Sequence, residues 1–186
     1  MLTGKYTKIL LATDLSEDCR NAYTYAVNLA AACNGRITLL HVIDPRPISS
    51  FLETRINNLL GQGSYQEIMQ NWENDARSVL IGKRKEVDII REALTKFRAA
   101  LSRFSDAIEN SNTDTPLPDD EILVKKGEIV EQIVAAAMEE EADQIILAAH
   151  SHASRDAFVS KTIQGVLNLV HIPVTIIPPV RIQVEQ

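Results

Sequence analysis

Short apolar runs alternate with amphipathic stretches along most of the chain. Lys8–Ala12 and Arg36–Ile43 are nearly all apolar, which is typical of strands that are covered on both faces. Between them, Ser16 is a candidate N-cap for a helix that extends to Cys33 and ends at Gly35. The pattern therefore predicts a parallel strand–helix–strand unit at the start of the chain.

The last third of the chain continues the same alternation. It predicts, in order, a strand at Glu121–Val124, a helix after Gly127, a strand at Ile145–Ala149, a helix at Lys161–Val170 and a strand at Val174–Ile177. The buried stripe of the first of these helices is expected at Ile129, Ile133, Ala136 and Ala137. Two prolines close the last strand.

The middle of the chain, about residues 49–110, is too long for one crossover connection. A helical piece at Phe51–Leu60 ends at a glycine-containing break. Apolar positions then recur at helical spacing over Tyr65–Leu80, including Met69 and Trp72, and in alternating steps of three and four over Val87–Ile108. We expect two helices here, with the second covering the sheet and the first packed on it or extending from it. A single long helix and an arm that binds a partner protein are the alternatives.

The whole order, β-α-β-(long α)-β-α-β-α-β, indicates an α/β, doubly wound sandwich in a single domain that spans 1–186. A hydrophobic fraction of 45% and a charged fraction of 24% are ordinary for a globular domain. The net charge of −6 argues against general nucleic-acid binding, which needs a basic surface. No signal peptide and no apolar run of membrane-spanning length is visible, so we expect a cytoplasmic protein without membrane contact.

Ligands of doubly wound sheets bind beyond the carboxyl ends of the strands, where the strand order reverses. Asp14 directly follows the first strand, and it is interpreted either as a ligand contact or as a local turn and capping residue. Ser160, Lys161 and Thr162 begin the last helix, where they either favour an anion or simply cap and solvate the helix end. No catalytic residue is predicted, because no nucleophile elbow, P-loop or G-x-G-x-x-G motif occurs.

The histidines and cysteines carry no strong motif. His150 and His152 have a spacing that permits a metal pair, but they are interpreted as ordinary loop residues, so no metal is predicted. His41 lies inside an apolar strand and is expected to be buried with its hydrogen bonds satisfied. Cys19 and Cys33 lie about 21 Å apart on one predicted helix, which excludes a disulfide between them. With Ala22, Ala26 and Leu29 they form a stripe of small residues that is expected in the core.

Several segments together resemble the universal stress protein family. They are KILLATDLSEDCRNAYTYAVNLAAACNGRITLLHVID, Lys126–Glu128, ADQIILAAHSHAS and SKTIQGVLNLVHIPVTIIPP, which cover more than half of the chain. The resemblance implies a five-stranded parallel sheet in the order 3-2-1-4-5, with the helical region as an insertion between strands 2 and 3. It also implies a homodimer through the last strand, formed by Val174, Thr175, Ile176 and Ile177.

The resemblance also implies a nucleotide site. In nucleotide-binding members, Asp14 corresponds to the residue near the adenine or ribose, and Val42 to the residue on the adenine. Three glycines that wrap the ribose and phosphates in those members correspond to Ala148, Ser151 and Ser160 here. Because a Cβ prevents close approach of the backbone to phosphate, the chain resembles the branch of the family that does not bind ATP.

These observations predict a non-enzymatic, dimeric stress-response or signalling protein with weakened or lost nucleotide binding and no cofactor. The alternative is a protein that binds ATP or AMP, with slow hydrolysis of ATP, and that uses side chains in place of the glycines. Those side chains are Asp14, Ser151, Ser160, Lys161 and Thr162. A metal-dependent protein that uses His150 and His152 is a third hypothesis.

Overall fold

The computed structural model describes residues 7–44, 52–74, 86–108, 120–149 and 160–179. Within these ranges the strands are β1 (Lys8–Thr13), β2 (Arg36–Ile43), β3 (Asp120–Lys126), β4 (Gln144–Ala148) and β5 (Val174–Ile177). The helices are α1 (Cys19–Cys33), α2 (Leu52–Leu60), α3 (Ser64–Asn74), α4 (Glu86–Ile108), α5 (Ile129–Glu139) and α6 (Lys161–Leu169).

The five strands form one parallel sheet in the order β3-β2-β1-β4-β5, which confirms the predicted order. The central strand β1 pairs with β2 on one side and with β4 on the other, so that Leu10 is opposite both Thr38 and Ile145. The chain moves outward from β1 through β2 to β3 and then returns to place β4 beside β1. The strand order therefore reverses between β1 and β4, and a crevice forms there at the carboxyl ends of the strands.

Each face of the sheet is covered by helices, because alternate strand residues point to opposite faces. On one face, Leu11 and Leu39 pack with α1 and α4, in a cluster that includes Ile9, Ala22, Ala26, Ile90, Leu94, Phe97 and Ile146. On the other face, Leu10 and Leu40 pack with α5 and α6, in a cluster that includes Ile133, Ala136, Ile145, Leu147, Ile163 and Val166. The near-continuous apolar strands of the sequence follow from this coverage on both faces.

In the described part of the region between β2 and β3, the helices α3 and α4 pack against each other. Lys96 of α4 donates a hydrogen bond to Glu67 of α3 over 3.1 Å, although 29 residues of straight helix would separate them by about 43 Å. The single long helix is therefore wrong. The described part of α3 packs on the domain rather than extending from it. Among its described side chains Ile68 is fully buried, whereas Tyr65 and Met69 of the predicted apolar series are half-buried. Residues 75–80 of the predicted first helix lie outside the described ranges.

The structure corrects the predicted start of α1. The helix begins at Cys19, two residues later than an N-cap at Ser16 would place it, and the N-cap position is Asp18, whose side chain makes no capping hydrogen bond. Ser16 instead donates its backbone N–H to the Asp14 carboxylate over 3.0 Å. A side-chain turn therefore occupies the residues that would have formed the first helical turn.

Two other predicted helix ends agree with the structure. Asn34 ends α1 in the left-handed conformation at φ 51°. Ser160 caps α6, because its hydroxyl oxygen accepts a hydrogen bond from the Ile163 N–H over 3.2 Å. Among the described residues, no helix combines the length and the apolar character needed to cross a membrane.

Candidate functional site

A cleft opens at the carboxyl ends of β1, β2 and β4, where the strand order reverses. Its volume is about 650 Å³ when the solvent-filled mouth is counted. The lining combines apolar residues of the sheet and helices with a few polar side chains near the loops. The lining residues are Ala12, Thr13, Asp14, Cys19, Leu40, His41, Val42, Arg55, Ile129, Ile133, Leu147, Ala148, Ser160, Thr162 and Ile163.

A compact turn after β1 places Asp14 in this lining. Asp14 Oδ1 accepts hydrogen bonds from the Ser16 N–H over 3.0 Å and from Cys19 Sγ over 3.3 Å. Leu15, the buried residue between Asp14 and Ser16, has a positive φ of 66°. Its N–H donates a hydrogen bond to Thr13 Oγ1 over 3.1 Å. Asp14 therefore forms the local turn that was one of its two interpretations, and it also lines the cleft.

Cys19 lies beneath this turn as a buried thiol. Burial raises its pKa to about 11, and the negative charge of Asp14 contributes to the rise. The thiol is therefore protonated at neutral pH and acts as a hydrogen-bond donor to Asp14. Cys33 is half-buried, and neither cysteine forms a disulfide.

His41 lines the cleft from the end of β2. Its Nδ1 lies 2.8 Å from the carbonyl oxygen of Thr13, as expected for a buried histidine with a satisfied hydrogen bond. Because a carbonyl oxygen only accepts, Nδ1 carries the proton. Burial, with a smaller contribution from the positive charge of Arg55, lowers the pKa of His41 to about 4, so the ring is neutral at neutral pH.

The opposite side of the cleft is apolar at the sheet and polar at its rim. Val42, Ile129 and Ile133 supply the apolar part. Ser160 and Thr162 supply hydroxyl groups at the beginning of α6. This combination of an apolar wall and a few placed polar groups is typical of a small-molecule site.

Comparison with known proteins identifies the family of this chain. The model of the universal stress protein family matches residues 5–178. The chain belongs to the universal stress protein family. A sequence comparison with curated proteins found no significant match.

Solved structures of low sequence identity share the fold. Universal stress protein UspA from Lactobacillus plantarum is 19% identical with a TM-score of 0.53, covering 94% of this chain and 99% of its own. The hypothetical protein MJ0577 is 22% identical with a TM-score of 0.57, covering 96% and 99%. A universal stress protein solved in complex with cAMP is 18% identical with a TM-score of 0.53, covering 94% and 98%. These similarities establish the fold.

The cleft brings together five of the seven nucleotide-site candidates predicted from the sequence. They are Asp14, Val42, Ala148, Ser160 and Thr162. Lys161 is exposed at the start of α6 and does not line the cleft. Ser151 lies outside the described residues, as do His150 and His152.

No group of three potential metal ligands occurs among the residues that the structure describes. Asp14, His41 and Cys19 lie near one another, but each already takes part in the local hydrogen-bonding described above. The described part of the cleft therefore provides no metal site. The metal hypothesis based on His150 and His152 falls outside the described ranges.

The predicted site omitted Arg55, which reaches the cleft from α2. Its position next to the buried Ile56 marks it only as a solvent-facing residue of an amphipathic helix. No local signal in the sequence connects α2 with the ends of β1 and β2. The contact depends on how the helical region folds back over the sheet.

The cleft combines an apolar wall with a carboxylate. Val42, Ile129 and Ile133 form the apolar wall, and Asp14 lines the same cleft. Ala148 and Ser160, which the family resemblance aligns with glycines, line the cleft as well. Ser160 has φ −65° and ψ 161°, an extended conformation that requires no glycine.

Proposed function

We propose that this universal stress protein is a non-enzymatic stress-response or signalling protein whose cleft binds an adenine nucleoside or nucleotide weakly. The proposal rests on a contrast between two parts of the cleft, one suited to a nucleoside and one unsuited to phosphates. The apolar wall at Val42 and the carboxylate of Asp14 suit a nucleoside, whereas Ala148 and Ser160 replace the bare backbone that would approach phosphates.

The phosphate side supports weak rather than tight binding. A backbone cradle provides several N–H groups that point at the same anion, and a Cβ at close range keeps the anion away from them. The described residues that remain near the beginning of α6 are Ser160 and Thr162, and the Ser160 hydroxyl already accepts the Ile163 N–H. We therefore expect dissociation constants above about 1 μM for adenine nucleotides.

The titratable groups of the described cleft support a non-enzymatic role. His41 is neutral and its Nδ1–H is bound to Thr13, while the Cys19 thiol is protonated and buried. Neither residue has a pKa near neutrality, as a general base or an activated nucleophile needs.

Calorimetric titration of the full chain with AMP tests the proposal, with Asp14→Ala as the site variant and Glu17→Gln as a matched control. Glu17 is an exposed acid on the same turn that does not line the cleft. We expect saturable binding that Asp14→Ala weakens at least several-fold and Glu17→Gln leaves unchanged. Absence of AMP binding, or equal binding by all three proteins, would contradict the proposal. Release of phosphate from Mg·ATP above the uncatalysed rate would contradict the non-enzymatic part.

A second candidate is a protein that binds ATP or AMP tightly through side chains. The hydroxyls of Ser160 and Thr162 in the cleft lining favour it. Submicromolar affinity for Mg·ATP would establish this candidate in place of weak binding.

We also propose that the protein forms a homodimer through β5, which is the last strand of the described sheet. The carbonyl oxygens of Pro173 and Ile177 accept hydrogen bonds from β4, so the backbone groups of Val174 and Ile176 face the open edge. Val174→Pro removes one outward N–H at the first position of the strand, where proline is tolerated. Sedimentation equilibrium should show a dimer that this variant converts to a folded monomer. A wild-type monomer, or a folded variant that stays dimeric, would refute the edge-strand dimer.

A further inference from the structure

Arg55 brings a positive charge from the helical insertion to the cleft. It lies on α2, and its side chain lines the same cleft as Asp14, His41 and Ser160. The sequence segments that carry the family resemblance include none of α2, so they assign no role to this residue.

Several contacts fix α2 relative to the sheet. Ile56 and Leu59 are fully buried, and Leu59 belongs to the core cluster of the face covered by α1 and α4. The Arg20 guanidinium of α1 donates a hydrogen bond to the Leu59 carbonyl oxygen. The Asn57 side-chain oxygen accepts the Tyr65 N–H over 3.1 Å, which fixes the turn into α3. The backbone that carries Arg55 is therefore held in place, and only the side chain is left to adjust to a ligand.

The charge of Arg55 has no compensating partner in the described structure. Within the described ranges, Arg55 makes no hydrogen bond or ion pair with another residue. Asp14, the acid in the cleft lining, is instead bound to the Ser16 N–H and to Cys19. The positive charge of Arg55 contributes to the lowered pKa of His41, as expected for a cation near the ring.

The ligand-facing groups near the α6 end of the cleft favour negative charge as well. Ser160 and Thr162 present hydroxyl groups, and the beginning of a helix carries a partial positive charge. Arg55 on α2 and these residues on α6 stand on opposite faces of the sheet, with the cleft between them. An anionic group in the cleft therefore lies in the favourable field of both.

We propose that Arg55 is the residue that makes the cleft selective for a nucleotide that carries a short anionic group, such as a nucleoside monophosphate, over the uncharged nucleoside. A guanidinium offers a planar fork of donors that matches phosphate oxygens, and its charge persists at all physiological pH values. The inference rests on the proposed nucleoside-binding function of the cleft. In nucleotide-binding members, the family resemblance implies that glycine backbone contacts the phosphates. Here the side chain of Arg55, in the helical insertion, would make that contact.

Calorimetric titration with AMP and with adenosine, on the wild-type full chain and two variants, tests this inference. Arg55→Gln removes the positive charge at the cleft. Arg91→Gln removes a positive charge from another exposed arginine, which lies on α4 and does not line the cleft. We expect the wild type to bind AMP about tenfold more tightly than adenosine. Arg55→Gln should abolish this preference by weakening AMP alone, and Arg91→Gln should leave it unchanged.

The outcomes separate the inference from the function on which it rests. If adenosine and AMP bind the wild type equally, or if Arg55→Gln weakens both to the same extent, the role of Arg55 is wrong and the nucleoside site stands. If neither compound binds the wild type, the proposed function fails and the inference fails with it. An equal loss of AMP affinity in Arg91→Gln would show a general effect of net charge and would also overturn the inference.

Discussion

His41 donates its Nδ1–H to the carbonyl oxygen of Thr13 over 2.8 Å, between residues that are paired across β2 and β1. This bond fixes the ring at the floor of the cleft and satisfies a buried donor. It also ties the protonation state of the ring to folding, because the bond and the burial both belong to the native state only.

The His41 bond predicts a loss of stability in acid. The folded pKa of about 4 lies below the unfolded value of 6.5, so the unfolded chain binds the additional proton between these pH values. The free energy of unfolding contributed by His41 is fully present above pH 6.5 and decreases as the pH falls towards 4. Chemical denaturation of the wild type and His41→Gln measures it. We expect the wild type to lose about 3 kcal/mol more than the variant between pH 7 and pH 4. Identical pH dependence in both proteins would disprove the coupling.

Cys19 is predicted to be unreactive in the native protein. Its burial and its pKa of about 11 leave almost no thiolate at pH 8, whereas Cys33 is half-buried. Labelling with a thiol-specific disulfide reagent should therefore modify Cys33 first. The Cys33→Ser variant should react only after denaturant is added, and Cys19→Ser should react while folded. Rapid labelling of native Cys33→Ser would show that Cys19 is accessible.

Gly165 allows α5 and α6 to approach closely. A Cβ at this position would lie 2.8 Å from Val130 Cγ2 and 3.1 Å from Val130 Cγ1, closer than side chains pack. Gly165→Ala should destabilise the protein by about 1–3 kcal/mol, although alanine favours helix. Adding Val130→Ala should recover part of that lost stability. Asn168→Ala, at an exposed position of α6, is the control and should not destabilise the protein. If the changes in the free energy of unfolding caused by Gly165→Ala and Val130→Ala simply add in the double variant, the contact between positions 165 and 130 is not the cause.

The sequence predicted the sheet well because each strand is recognisable locally. Apolar runs identified the strands, and Ser160 and Asn34 identified helix ends by chemistry within a few residues. The start of α1 was predicted wrongly for an equally local reason. The Asp14 carboxylate captures the Ser16 N–H, and this turn competes with the helical turn that Ser16 would cap.

The site was less predictable than the sheet because parts of it depend on distant contacts. Asp14 and Val42 follow directly from their places at strand ends. Arg55 and the buried Ile68 belong to a region whose helical periodicity indicates an apolar face but does not indicate what that face covers. These positions are determined by how α2, α3 and α4 pack together, which a periodicity along one helix cannot specify.

We propose that the cleft keeps a nucleoside site, whereas Ala148 and Ser160 disturb the backbone cradle for a phosphate chain. The most direct test is the ratio of the dissociation constants of AMP and Mg·ATP, measured by calorimetry on the same preparation of the full chain. Without a cradle the β- and γ-phosphates gain few contacts, so we predict affinities within about fivefold of each other. An affinity for Mg·ATP that exceeds the affinity for AMP by about a hundredfold or more would contradict the claim.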